Sequence, residues 1–152
     1  IDENCDGQID NDAGCPCTQY NYGSNSYMFC TADRTWNQSK NWCRSRGYEL
    51  ATIDDSDEQY WIIAAIRTYS DIPNESFWIG LNDRSPESSW RSGWKWISGA
   101  AYSYQAWRSG QPDDWGGEDC VEVNRWTWSA WWDNWNDYPC GEDINYICEA
   151  GP

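Results

Sequence analysis

Eight cysteines in 152 residues constrain this chain more than any other feature. The number is even, and a polar chain of this size gains stability from cross-links that narrow its unfolded ensemble. A zinc site would need closely paired thiolates or histidines, yet there is no histidine and Cys15 and Cys17 form the one close pair. The cysteines therefore predict disulfides and an oxidising, secreted or extracellular setting. Fourteen tryptophans, with aromatics at 17% of residues, predict a ring-packed core in one domain of ordinary size.

The formal charge is -15, from 25 acids against 10 bases, which opposes binding to nucleic acid or to anionic membranes and makes cations the natural partners. A solvated acidic surface would give the same balance, so the placement of the acids decides. The run Trp61-Ile62-Ile63-Ala64-Ala65-Ile66 is far shorter than the ~20 apolar residues a membrane span requires, so no membrane insertion is expected. Ile1 opens a polar, acidic segment, which reads as a mature chain or an excised domain.

Residues 1–16 are rich in Asp, Asn, Gly and Cys and read as a loop-rich lead-in to a domain over 17–152. Thr35 followed by Gln38 predicts a capping box and a helix running to Arg46, stopped by Gly47. Ser56 followed by Gln59 repeats the signal, predicting a second helix from Asp57 to about Thr68, with Pro73 in the loop beyond. Short apolar runs then predict strands at Phe77-Trp78-Ile79-Gly80-Leu81, Trp94-Lys95-Trp96-Ile97, Cys120-Val121-Glu122-Val123 and Tyr146-Ile147-Cys148. Between Pro86 and Asp119 lies a long stretch of turn residues and carboxylates, the kind of loop that is usually either functional or disordered. Two helices, short antiparallel sheets and one large loop make an α+β arrangement.

Five motifs occur along the chain in a fixed order: Trp78-Ile79-Gly80-Leu81, Gln111-Pro112-Asp113, Gly117-Glu118-Asp119-Cys120, Trp135-Asn136-Asp137 and Tyr146-Ile147-Cys148-Glu149. Together they resemble the C-type lectin family over roughly residues 17–149, although a lone Gln-Pro-Asp would be only a turn. The resemblance implies that Cys43 pairs with Cys148 and Cys120 with Cys140. It also implies one disulfide closing an N-terminal hairpin, which assigns Cys17 to Cys30 and leaves Cys5 with Cys15. Cys30 follows Tyr27-Met28-Phe29 instead of preceding its aromatic pair, a departure from the commonest family form.

A calcium site needs six to eight oxygen ligands, and carboxylates crowded together repel one another unless a cation joins them. The resemblance implies that Gln111, Asp113, Glu118, Asn136 and Asp137 supply side-chain oxygens to a sugar-site calcium, with the backbone carbonyl of Asp137 added. It implies a second, structural calcium at Asp83, Glu87, Asp114 and Asp119, with the carbonyl of Glu118 shared. Two vicinal sugar hydroxyls would complete the first ion's shell, carboxylates accepting hydrogen bonds from them and amides donating to them. In the family, Gln-Pro-Asp goes with galactose-type sugars, Glu-Pro-Asn with mannose-type, and a cis bond precedes the proline. The implied ligand is thus galactose or N-acetylgalactosamine.

Trp115 stands where galactose-binding members carry a tryptophan that stacks on the apolar face of the sugar; packing within its own loop is the alternative. Gly116 and Gly117 would let the chain turn back to Glu118. The segment from Asn124 to Asn134 holds four tryptophans within seven positions, read as core packing, with an added sugar subsite or self-association face as the alternative. Trp36, Trp42, Trp61, Trp78, Trp96, Trp107 and Trp135 read as core residues.

Three function classes follow. A calcium-dependent galactose-binding module is preferred, made multivalent by oligomerisation or by repetition in a larger protein. A protein- or surface-recognition module of the same fold is the rival. A glycosidase fares poorly, because the clustered acids serve as metal ligands and no Gly-x-Ser-x-Gly nucleophile motif occurs.

Overall fold

The computed structural model describes residues 16–84, 92–128, 130–131 and 134–151. The chain runs β1 (Cys17–Tyr22), β2 (Asn25–Arg34), α1 (Trp36–Ser45), β3 (Glu49–Leu50), α2 (Ser56–Thr68), β4 (Phe77–Asn82), β5 (Lys95–Trp96), β6 (Cys120–Val123), β7 (Asn136–Tyr138) and β8 (Ile144–Ala150). Among the described residues no helix is long and apolar enough to cross a membrane.

The capping box at Thr35 forms as its residues dictate. The Thr35 hydroxyl accepts from the Gln38 N–H at 3.3 Å, and the Gln38 side chain accepts from the Thr35 N–H at 3.1 Å. Gly47, at φ +77°, turns the chain out of α1. The start of α2 lies one residue earlier than Ser56 and Gln59 predict. Asp55 is its cap, with its carboxylate accepting from the N–H groups of Asp57 and Glu58 at 2.9 Å each. A carboxylate at that end also meets the positive pole of the helix, which favours Asp55 over the neighbouring hydroxyl.

All eight strands join one sheet in the order β1-β2-β8-β4-β6-β7, with β3 on β8 and β5 on β4. The α+β arrangement of two helices and short antiparallel pairings forms as expected, with one parallel pair added where β4 and β8 run side by side, Phe77 facing Asn145 and Trp78 facing Tyr146. Three disulfides brace this frame. Cys17–Cys30 links directly opposed residues of the β1–β2 hairpin, and Cys43–Cys148 ties α1 to β8 across 105 positions of sequence. Cys120–Cys140 fastens β6 to the segment after β7. Cys5 and Cys15 lie outside the described residues.

The core has two clusters. Ile62, Ile63 and Ile66 of α2 pack with Phe29, Phe77, Ile79, Val121, Trp96 and Trp135 in one. Trp36 and Cys43 of α1 pack with Leu50, Trp78, Tyr146 and Cys148 in the other. The tryptophans read as core divide accordingly: Trp36, Trp78, Trp96 and Trp135 are buried, whereas Trp42, Trp61 and Trp107 are only partly so. A large ring with a polar N–H settles at a boundary where one end finds a partner, as Trp107 does on the Tyr102 hydroxyl at 2.8 Å.

Gly80 is the tightest point of this packing. A Cβ there would stand 2.7 Å from the Leu50 carbonyl oxygen and 3.1 Å from that of Ala51. Its backbone is pinned on both sides, Gly80 N–H to Ala51 at 2.8 Å and Ile97 N–H to Gly80 at 2.9 Å. Gly80→Ala is expected to destabilise the domain by about 1–3 kcal/mol, as overpacking against backbone does. Urea unfolding checks this: a lowered midpoint is expected, and an unchanged one would show that the strands separate freely there.

Candidate functional site

The carboxylate loop enters the site at Gln111, whose N–H bonds to the Arg108 carbonyl at 2.9 Å. The Gln111–Pro112 bond is cis, as the resemblance implies. Positive φ at Gly116 and Gly117, +84° and +88°, lets the loop reverse so that Glu118 returns toward Asp113. Asp114, also at positive φ, fastens the reversal by accepting the Glu118 N–H at 2.9 Å. From the opposite side β7 presents Asn136 and Asp137, both buried.

These elements bring Asp113, Glu118 and Asp137 together, with one carboxylate oxygen from each lying within 4.8 Å of the others. Asp137 is held firmly. Its Oδ2 accepts the backbone N–H groups of Asp113 and Asp114 at 2.9 and 2.7 Å. Its Oδ1 is buried and has no hydrogen-bond partner among the described residues, and the same is true of Gln111 Oε1. Gln111 turns its amide nitrogen away, donating to Asp113 Oδ2 at 3.3 Å. Orphaned buried oxygens beside converging carboxylates cost free energy unless a cation meets them. The residues present thus fit a hard, oxygen-seeking ion such as calcium.

The electrostatics carry the same sign. Burial pushes the Glu118 carboxyl up to about 7, with Asp137 and Asp113 adding repulsion. Burial also raises Asp137, against backbone N–H bonds that pull it down. Asn136 is positioned from beneath, because its amide nitrogen donates to Glu122 Oε1 at 3.0 Å and to the Asp137 carbonyl at 2.7 Å. Glu122 is itself fully buried, and burial drives it to about 7.

Asp83, Asp114 and Asp119 do not gather to a comparable spacing, although the Asp83 N–H bonds to the Asp119 carbonyl at 3.0 Å. Glu87 lies outside the described residues. Trp115 projects into solvent with 82% of its surface exposed, so it does not pack its own loop.

The family model described as the lectin C-type domain matches residues 32–150. The chain belongs to that family. Among its relatives is a perlucin-like protein of Mytilus galloprovincialis, 34% identical over 136 residues that make up 88% of this chain and 81% of the relative. The versican core protein of Rattus norvegicus is 34% identical over 129 residues, 82% of this chain but only 4% of versican. Among solved structures, the mouse scavenger receptor C-type lectin carbohydrate-recognition domain is 34% identical, with a TM-score of 0.72 over 90% of this chain and 96% of that one. A calcium-independent type II antifreeze protein shares the fold alone, at 23% identity and TM-score 0.71, covering 90% of this chain and 94% of its own.

This C-type lectin domain is a recognition domain and not an enzyme. It is extracellular, in keeping with its disulfides. A cleft of about 310 Å³ borders the carboxylate cluster, lined by Gln111, Asp113, Glu118 and Asn136 and by Trp115, Trp126, Arg108, Arg125 and Tyr138. The last four and Glu122 are absent from the sequence-based site. The available signal was charge, since two of the chain's ten bases flank its most acidic loop.

Core packing of the Trp-rich segment also needs correction. Trp131 does pack on the core, 5.2 Å from the Tyr60 ring, but Trp128 is 79% exposed and Trp126 lies beneath Arg108 at the cleft. Trp132 lies outside the described residues. A guanidinium face is available to Trp126, so this ring reaches a favourable contact without entering the core.

Proposed function

We propose that the domain binds galactose-type sugars at the Gln111–Asp137 cluster in a calcium-dependent manner. The observation that carries this reading is the convergence of Asp113, Glu118 and Asp137 on the partnerless oxygens Gln111 Oε1 and Asp137 Oδ1. Gln111, Asp113, Glu118, Asn136 and Asp137 would hold the ion, which when bound offers coordination positions to two vicinal hydroxyls. The carboxylates accept hydrogen bonds from those hydroxyls, and the Gln111 amide donates to them. The order amide, Pro112, acid is the one that goes with galactose in the family, and Trp115 offers an open aromatic face to the sugar's C–H groups. A second calcium at Asp83, Glu87, Asp114 and Asp119, sharing the Glu118 carbonyl, is part of the proposal. So is multivalency, through homo-oligomers or a larger protein, because single sugar sites are weak.

A second reading, recognition of a protein or another surface without sugar, is favoured by the occurrence of this fold in a calcium-independent antifreeze protein. A glycan array with and without calcium separates the two. Galactose-terminated glycans are expected to light up only in calcium, and a blank array in both conditions would leave the surface-recognition reading standing.

Trp115→Ala is expected to weaken galactose binding about fivefold, the value of roughly 1 kcal/mol of aromatic contact, with calcium affinity barely changed. Calorimetry with each ligand checks this; equal galactose affinities would exclude stacking on Trp115.

A further inference from the structure

We propose that Arg108 and Arg125, clamped about Trp126, form an anion-binding extension of the sugar site, so that the preferred ligand is a galactose-type sugar bearing a sulfate or carboxylate. The inference rests on the proposed function and specifies its ligand class. Both arginines line the cleft that Gln111, Asp113, Glu118 and Asn136 border. In a chain with 10 bases against 25 acids, two guanidiniums at one cleft need a physical reason.

Neutralisation by neighbouring acids accounts for Arg125 but not for Arg108. Arg44 is paired with Glu49 at 2.8 Å, but Arg108 has no ion pair among the described residues, and its Nε is buried there without a hydrogen-bond partner. Arg125 pairs with the buried Glu122 at 3.6 Å on one side, while about a third of its side chain stays open to solvent. Aromatic rings also hold both groups. The Arg108 guanidinium carbon sits 3.5 Å from the centre of the Trp126 ring. That of Arg125 sits 5.8 Å from the same ring and 4.3 Å from the Tyr138 ring. An aromatic face fixes the plane of a guanidinium while leaving its charge and its edge donors free, and those donors match the paired oxygens of a sulfate or carboxylate.

The stack is also tied to the sugar site through the backbone. The Arg108 carbonyl accepts the Gln111 N–H at 2.9 Å, so the base and the first ligand of the cluster share one turn. Tyr138 follows Asn136 and Asp137 on the same short strand. A sugar held by ring hydroxyls at the cluster would therefore present a substituent off the ring to this wall of the cleft.

Calorimetric titration of the calcium-loaded protein with galactose, galactose 6-sulfate and galacturonic acid tests the proposal. At low salt the two charged sugars are expected to bind about fivefold tighter than galactose, the value of one partly exposed charged contact, with the gap narrowing as salt rises. Arg108→Gln is expected to bring the charged sugars to the level of galactose. Arg125→Gln, at a more exposed side chain, is expected to shrink the preference and guards against a folding defect in the first variant. Equal affinities in the wild type, or a preference that survives both substitutions, would overturn the subsite. So would charged-sugar binding undiminished in chelator, which would place an anion site apart from the sugar. Failure of all three sugars to bind in calcium would sink the proposed function and the subsite with it.

Discussion

Removing calcium with a chelator is expected to lower the melting temperature by about 5–10 °C. An ion present at 100 times its Kd stabilises the folded state by about 2.7 kcal/mol, and each kcal/mol is worth about 2–4 °C in a domain of this size. The cause is local. Asp113, Glu118 and Asp137 converge, and without a cation their charges face one another and two orphaned oxygens.

The pH dependence carries a sign. Glu118 is pushed up to about 7 in the metal-free fold, above its ordinary value near 4.5. Metal-free, the fold therefore binds more protons than the unfolded chain between those values, and stability from this group is lost as pH rises through that window. With calcium the carboxylates must be deprotonated to bind, so falling pH weakens the ion's contribution. The gap between calcium-loaded and chelated melting temperatures is expected to widen from pH 5 to pH 8. Glu58, also driven to about 7 by burial but bonded to Tyr27 and Asp54, adds the same slope to both states and cancels from the gap. Paired thermal melts check this, and a gap of zero at every pH would exclude calcium binding at these residues.

Exchanging the ligand order with the double substitution Gln111→Glu and Asp113→Asn is expected to shift preference from galactose toward mannose-type sugars by about tenfold. That is the value of one or two hydrogen bonds reversed in polarity, about 1 kcal/mol each. No ligand oxygen is lost, and an amide and a carboxylate still face each other across Pro112, where Gln111 Nε2 now donates to Asp113 at 3.3 Å. The Trp115 N–H bond to the residue 113 side chain, 3.3 Å in the wild type, also keeps its acceptor. Trp115 remains to favour the galactose face, so the shift stops short of full reversal. Competition on immobilised galactose and mannose reads the ratio, and unchanged galactose selectivity would show that ligand order does not set specificity.

How much was legible follows from the range of each interaction. Local chemistry reads well: the Thr35 box and the Gly47 stop depend on groups a few residues apart, and α1 lies where they put it. Ser56 misled because two good capping residues adjoin, and a hydroxyl and a carboxylate three positions before an acceptor look alike until a helix dipole chooses. The strands β3 and β7 are two and three residues long, too short for an alternating pattern to stand out. The parallel pairing of β4 with β8 joins segments about 68 residues apart in the chain and has no local signature.

The site divides the same way. Dense motif spacing picks out Gln111, Asp113, Glu118, Asn136 and Asp137 as candidates, and the fold draws the three carboxylates among them to one point. Glu122 was not legible, since an acid inside a short apolar strand gives no sign that an amide 14 residues on will cover it. Nor was the division of the Trp-rich segment, because alternation cannot say which ring faces the core and which faces Arg108.

The most direct test of the central claim is a calorimetric titration of galactose into one protein sample, first with calcium, then after chelation, then after calcium is restored. The expected result is millimolar binding in calcium, about -4 kcal/mol, none after chelation, and full recovery on restoration. Galactose binding of equal strength in chelator would contradict it, as would no binding in calcium by a sample whose melting temperature shows the ion to be bound.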